Sequence, residues 1–113
     1  MSHAEELRSA ATRLRCAANQ ATPGPWTPAD GSIPYGHRVG SADETDWVAW
    51  TGAITEDRSE ADAAYIATMH PAVGAALADW LDTAAANAAA LTWPSDFIDR
   101  ALAVARAING GQP

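Results

Sequence analysis

Five aromatic and basic residues in the middle of the chain, Tyr35, His37, Arg38, Trp47 and Trp50, are the ones whose types suit a binding chemistry. An arginine offers a planar fork of donors for a phosphate or carboxylate, and an indole beside it offers a flat apolar face on which a base can stack. These residues together predict a site for a small, anionic, nucleotide-like ligand. A plain ion pair of Arg38 with Asp43, Glu44 or Asp46 is the competing use of the same guanidinium. The acidic run Asp43-Glu44-Asp46 itself reads as a solvated turn, or as a negative patch that mimics nucleic acid or docks a basic host protein.

Catalytic and metal chemistry lacks comparable support. The chain has no glycine-rich phosphate loop, no His and Cys cluster at metal-ligand spacing and no nucleophile in a strand-to-helix motif. The reading is therefore not an enzyme, with no cofactor, no metal and no catalytic residues. His70, next to Pro71, reads as a capping or partly exposed side chain, with a ligand or acid-base role as the alternative, and His3 as a solvated terminal residue.

These residues need elements to position them. Ser2 with Glu5 has the form of a capping box, and Leu7, Ala10, Ala11, Leu14, Ala17, Ala18 and Ala21 recur at helical spacing. That predicts a helix to about Gln20, ended by Pro23-Gly24-Pro25, where the ring constraints forbid continuation. From Trp26 to about Thr55 the helical period is lost. Strands are predicted near Trp26 to Pro28, Tyr35 to Val39 and Trp47 to Ile54, with turns at Asp30-Gly31 and around Gly40 to Asp43. Pro28 assigns the first strand to an edge.

In an unbroken third strand Trp47 and Trp50 point to opposite faces, because their separation is odd. One would then pack on helices, while the other serves as a contact residue for a ligand or a second copy. Trp26 and Trp80 default to the core.

Ser59 reads as the N-cap of a second helix, with Ala61, Tyr65, Ile66 and Met69 on its apolar side. Pro71 suits the first turn of the next, which carries Val73, Leu77, Trp80, Leu81, Ala84 and Ala88. Thr92 to Ser95 breaks the chain before a last helix, Asp96 to Ile108, with Ile98, Ala101, Leu102, Ala105 and Ile108 on one side. The result is an α+β chain read as a single domain over 1–113, with a helix over 1–20, a small antiparallel sheet of about three strands over 26–55 and a helical part over 59–109 packed on the sheet.

Composition narrows the function classes. The net charge is −7, and every basic residue is an arginine. Such a balance opposes non-specific nucleic-acid binding, which needs a basic field to displace counterions. Alanine forms about a quarter of the chain, which favours closely packed helices and a single modest core. Cys16 stands alone in an apolar position of the first helix, so a reduced, cytoplasmic setting is expected. No apolar run is long enough to span a bilayer, and Ser2, His3, Glu5 and Glu6 do not form a signal segment.

Two short motifs add an ancestry. Ala21-Thr22-Pro23-Gly24-Pro25-Trp26 closes the first helix, and Asp62-Ala63-Ala64-Tyr65-Ile66-Ala67 leads through His70-Pro71 into the Leu/Ala-rich helix. On these, over Leu7 to Trp26 and Asp62 to Leu81, the chain resembles the Ead-like family of small proteins of tailed phages and prophages. Asp79-Trp80-Leu81 and the closing Ala101 to Ala107 segment look like the variants of high-GC actinobacteria and their phages. The resemblance implies a dispensable phage or prophage accessory protein in the host cytoplasm and supplies no catalytic residues. Three functions follow: sequestration of a nucleotide-derived host signal, inhibition of a host factor by an acidic protein surface, or a structural module that pairs through its alanine stripes. A homodimer is expected from those stripes and from a sheet with one face too many.

Overall fold

The computed structural model of the chain describes residues 1–32, 35–41 and 47–110. The order is α1 (His3–Gln20), β1 (Trp26–Ser32), β2 (Tyr35–Ser41), β3 (Trp47–Ala53), α2 (Ser59–Thr68), α3 (Pro71–Ala90) and α4 (Ser95–Ile108). This is the expected α+β fold. The chain divides into two compact units, 1–18 with 74–113 and 19–73.

The first unit is helical. Ser2 Oγ accepts the backbone N–H of Glu5 at 3.1 Å, so α1 starts where the capping pattern predicts. Its buried side chains Ala4, Leu7, Ala10 and Ala11 form one cluster with Ala78, Leu81, Ala84 and Ala85 of α3 and Ile98, Ala101, Leu102 and Ala105 of α4. Eight of these twelve residues are alanine, and short side chains let helices approach closely. Ion pairs border the cluster. Arg15 reaches Asp79 at 2.9 Å and Asp82 at 2.8 Å, while Arg106 grips both oxygens of Glu6 at 3.2 Å. The hydrogen bonds from Arg106 hold the Glu6 carboxyl below the ordinary carboxylate range.

Two sequence expectations fail in this unit. Trp80 lies one position off the buried stripe of α3 and is 37% exposed, because Gly74, Ala78, Leu81, Ala84 and Ala85 face the cluster instead. Cys16 is exposed on the outer side of α1.

The second unit is a three-stranded antiparallel sheet in the order β1-β2-β3, with α2 packed on one face. β1, with Pro28, is an edge strand as expected. Asp30 and Gly31 do not turn the chain. They continue β1 opposite His37 and Gly36, and β2 runs on through Gly40 to Ser41. Cross-strand pairing supplies partners for these residues, which outweighs their local turn preference. The remainder of the expected turn, Ala42 and Asp43, lies outside the described residues.

Under the sheet, Val39, Ala63 and Ala67 are buried, with Trp26, Val48, Ala49 and Ile66 around them. Composition suggests one core, whereas the structure holds two separate clusters. α2 presents Ser59, Ala63 and Ala67, spaced by four, to the sheet. Tyr65 and Met69, expected on that side, are exposed. Ala61, also expected there, is exposed as well, while Ile66 packs at the margin; the four-residue spacing of Ser59, Ala63 and Ala67 sets the face that meets the sheet. Trp26 stands at the start of β1 with its indole N–H donated to the carbonyl of Thr22 at 2.8 Å.

Candidate functional site

β3 carries two extra residues relative to β2, and they decide where the tryptophans point. The pairing runs Gly40 with Trp47, Val39 with Ala49, Arg38 with Trp50, His37 with Gly52 and Gly36 with Ala53. Val48 and Thr51 are the unpaired residues of two bulges. Opposed residues of an antiparallel pair share a face, and Gly40 and Arg38 are two apart on β2. Trp47 and Trp50 therefore lie on the same face of the sheet, and the opposite-face expectation is corrected. The bulge tucks both Val48 and Ala49 against the α2 side, which returns the strand to the original phase at Trp50.

Arg38 stands between the two indoles. Its guanidinium carbon is 5.2 Å from the ring centroid of Trp47, within cation–π range. That guanidinium donates no hydrogen bond and forms no ion pair with any of the described residues; Asp43, Glu44 and Asp46, its expected partners, lie outside them. Trp47 is 50% and Trp50 48% exposed. Trp50 lies across the backbone of Gly36, where an added Cβ would sit 2.5 Å from its Nε1. Gly36 is covered by Trp50 and Gly40 pairs with Trp47, so this face carries a stacked Arg–Trp pair beside a second indole. Such a surface can stack a planar group and pair an anion beside it.

The other two predicted site residues stand apart from this cluster. The side chain of Tyr35 lies outside the described residues. His37 points to the α2 side, with Nδ1 2.6 Å from Ser59 Oγ. Ser59 is therefore not the N-cap of α2. Arg58 occupies that position without a side-chain hydrogen bond, while the Ser59 hydroxyl turns inward to the carbonyl of Ala53 at 3.0 Å, with that of Glu56 at 3.2 Å. Thr51 completes the latch, its hydroxyl 2.6 Å from the Ser59 carbonyl and 3.1 Å from that of His37.

A serine beside a histidine has the form of a nucleophile and base, but its surroundings make it structural. Ser59 is 1% exposed and has carbonyls to receive its proton. The groups are best satisfied with the histidine proton on Nδ1, donated to Ser59, which leaves no base for the hydroxyl. The latch clamps the second bulge to the start of α2 and so fixes the position of Trp50. Sequence reasoning missed it because residues 22 apart carry no local signal of contact.

His70 has its Nδ1 buried without a hydrogen-bond partner among the described residues, close against Gly24. Among the described residues there is no group of three or more His, Cys, Asp or Glu able to hold a metal ion, and no helix is long and apolar enough to cross a membrane. Comparison of the chain with protein-family models, curated proteins and solved structures finds no match.

Proposed function

We propose that this chain is a non-enzymatic binding protein that captures a planar, anionic, nucleotide-like molecule on the face of its sheet. The observation that carries the reading is the Arg38 guanidinium stacked on Trp47, with the second indole of Trp50 on the same face. A base stacks on the open indole, and the phosphate takes donors of the Arg38 guanidinium. The negative charge of the chain keeps longer polyanions away, so monoanionic and cyclic phosphates suit the site better than triphosphates. In the phage or prophage setting suggested by the family resemblance, such capture counteracts host defence by sequestering a nucleotide-derived signal in the host cytoplasm.

Calorimetry with a panel of nucleoside monophosphates and cyclic mono- and dinucleotides tests this reading. Binding is expected for at least one class. Arg38→Ala, Trp47→Ala and Trp50→Ala are each expected to weaken it by about 1–3 kcal/mol. Thermal unfolding should change little, since both indoles are half exposed and the Arg38 guanidinium has no ion pair with any described residue. Chromatography of the recovered ligand is expected to return it unaltered. Absence of heat with every member of the panel refutes capture, and a chemically changed ligand refutes the non-enzymatic assignment.

The same half-exposed indoles favour a second reading, self-association of two copies through this face. Covering half of an indole removes on the order of 100 Å² from water, worth about 2 kcal/mol per ring. Light scattering at micromolar concentration is expected to give twice the monomer mass of 11.8 kDa, and Trp50→Ala to return the monomer. A wild-type chain that stays monomeric removes the dimer and leaves the face to a ligand or a host protein.

A further inference from the structure

We infer that the helical unit holds a second binding site, for a planar apolar molecule bearing one carboxylate, in the groove lined by Trp80 of α3, Trp93 before α4, and Phe97 and Arg100 of α4. The groove has a volume of about 350 Å³. Trp93 and Phe97 meet edge to face, with centroids 6.2 Å apart and planes at 84°. One ring edge and one ring face are thus presented side by side, which suits a flat guest. Trp80 supplies a further ring from α3.

Trp93 packs against the edge of the helical core, but Trp80 and Phe97 are not needed to close it. The helical cluster is filled by Leu7, Leu81, Leu102, Ile98 and alanines, while Trp80 is 37% and Phe97 50% exposed. Large aromatic side chains gathered at one groove, next to a core of alanines and a few aliphatics, are the usual material of a ligand pocket.

Arg100 determines the charge of the guest. It lies one turn after Phe97, on the same stripe of α4, and is the only charged residue among the four that line the groove. Its neighbour Asp99 lines a different hollow, with His3, Asn87 and Ser95. Arg15 and Arg106 spend their donors on Asp79, Asp82 and Glu6, whereas Arg100 has no ion pair or hydrogen bond with any described residue. A guanidinium in the lining of an aromatic groove, with no partner among the described residues, matches a carboxylate in a bidentate pair. One cation in a chain of net charge −7 balances one negative charge, so a monoanion fits and a polyphosphate does not.

Naphthalene-2-carboxylate is the probe, with naphthalene-2-carboxamide as its uncharged counterpart. The indole N–H signals of the five tryptophans, assigned through single Trp→Phe substitutions at positions 47, 50, 80 and 93, are followed by two-dimensional NMR during titration of the full chain. The carboxylate is expected to shift the Trp80 and Trp93 signals saturably and leave those of Trp47 and Trp50 in place. The amide is expected to bind at least about tenfold more weakly, and Arg100→Gln to cost the carboxylate about tenfold while the thermal unfolding curve stays unchanged. Equal binding of acid and amide, an Arg100→Gln chain that binds like the parent, or no saturable shift of Trp80 and Trp93 up to roughly millimolar probe overturns the proposal. Shifts confined to Trp47 and Trp50 also overturn it, and they leave the sheet-face reading standing.

Discussion

Leu81→Ala is expected to destabilise the helical unit by about 2–5 kcal/mol, a large share of the total stability of a small domain. Leu81 is fully buried, and its cluster neighbours include Ala78, Ala84 and Ala85 on its own helix and Ala10 and Ala11 on α1. The cost of a cavity depends on how far the surroundings collapse into it. Alanines have no rotamers with which to reach inward, and backbone movement would have to draw whole helices together. The upper half of the range is therefore expected. Urea unfolding followed by helical circular dichroism measures it, and a loss below about 1 kcal/mol would show that the cluster tolerates the void, contrary to this packing.

Gly36→Ala is the second large effect, and it couples the fold to the site. A Cβ at this position falls 2.5 Å from the carbonyl oxygen of Gly52 and 2.5 Å from Nε1 of Trp50. The carbonyl belongs to a neighbouring strand and cannot move without parting β2 from β3. The indole can swing away, but only by leaving the face it shares with Trp47. A destabilisation of about 1–3 kcal/mol is expected, together with a changed Trp50 environment in fluorescence and loss of any ligand bound on that face.

Gly74→Ala provides the contrast. There the new methyl meets Ala18 and Leu14 at 3.5 Å, ordinary contact distance, inside α3. Alanine is the better helix former, so that change should leave stability unchanged or raise it by up to about 1 kcal/mol. Two glycines that behave alike in denaturant would contradict the close approach of Trp50 to the sheet.

The sequence by itself determined the elements whose signals are local. Pro23-Gly24-Pro25 ends α1, Pro71 opens α3 and Thr92 to Ser95 separates α3 from α4, because proline and glycine act through their own backbone. The 3.6-residue period placed Ile98, Ala101, Leu102 and Ala105 on the buried face of α4, where the helix has one clear apolar stripe. The same reasoning failed on α2, where apolar residues lie all round and give no single stripe, and the sheet takes the face of Ser59, Ala63 and Ala67.

Only the tertiary structure decided the face of the tryptophans. Counting from Trp47 to Trp50 assumes one residue per pleat, and a bulge at Val48 breaks that assumption without any mark in the local sequence. Its position follows from β2 in register and from the space under the sheet, where Val48 and Ala49 both find cover. Likewise Ser59 has every property of a helix cap, yet its hydroxyl joins His37 from a strand 22 residues earlier. A capping hydroxyl exchanges water for one amide, whereas this buried one gains an imidazole and a carbonyl in a medium of low dielectric, and it is that gain across the fold that fixes the site.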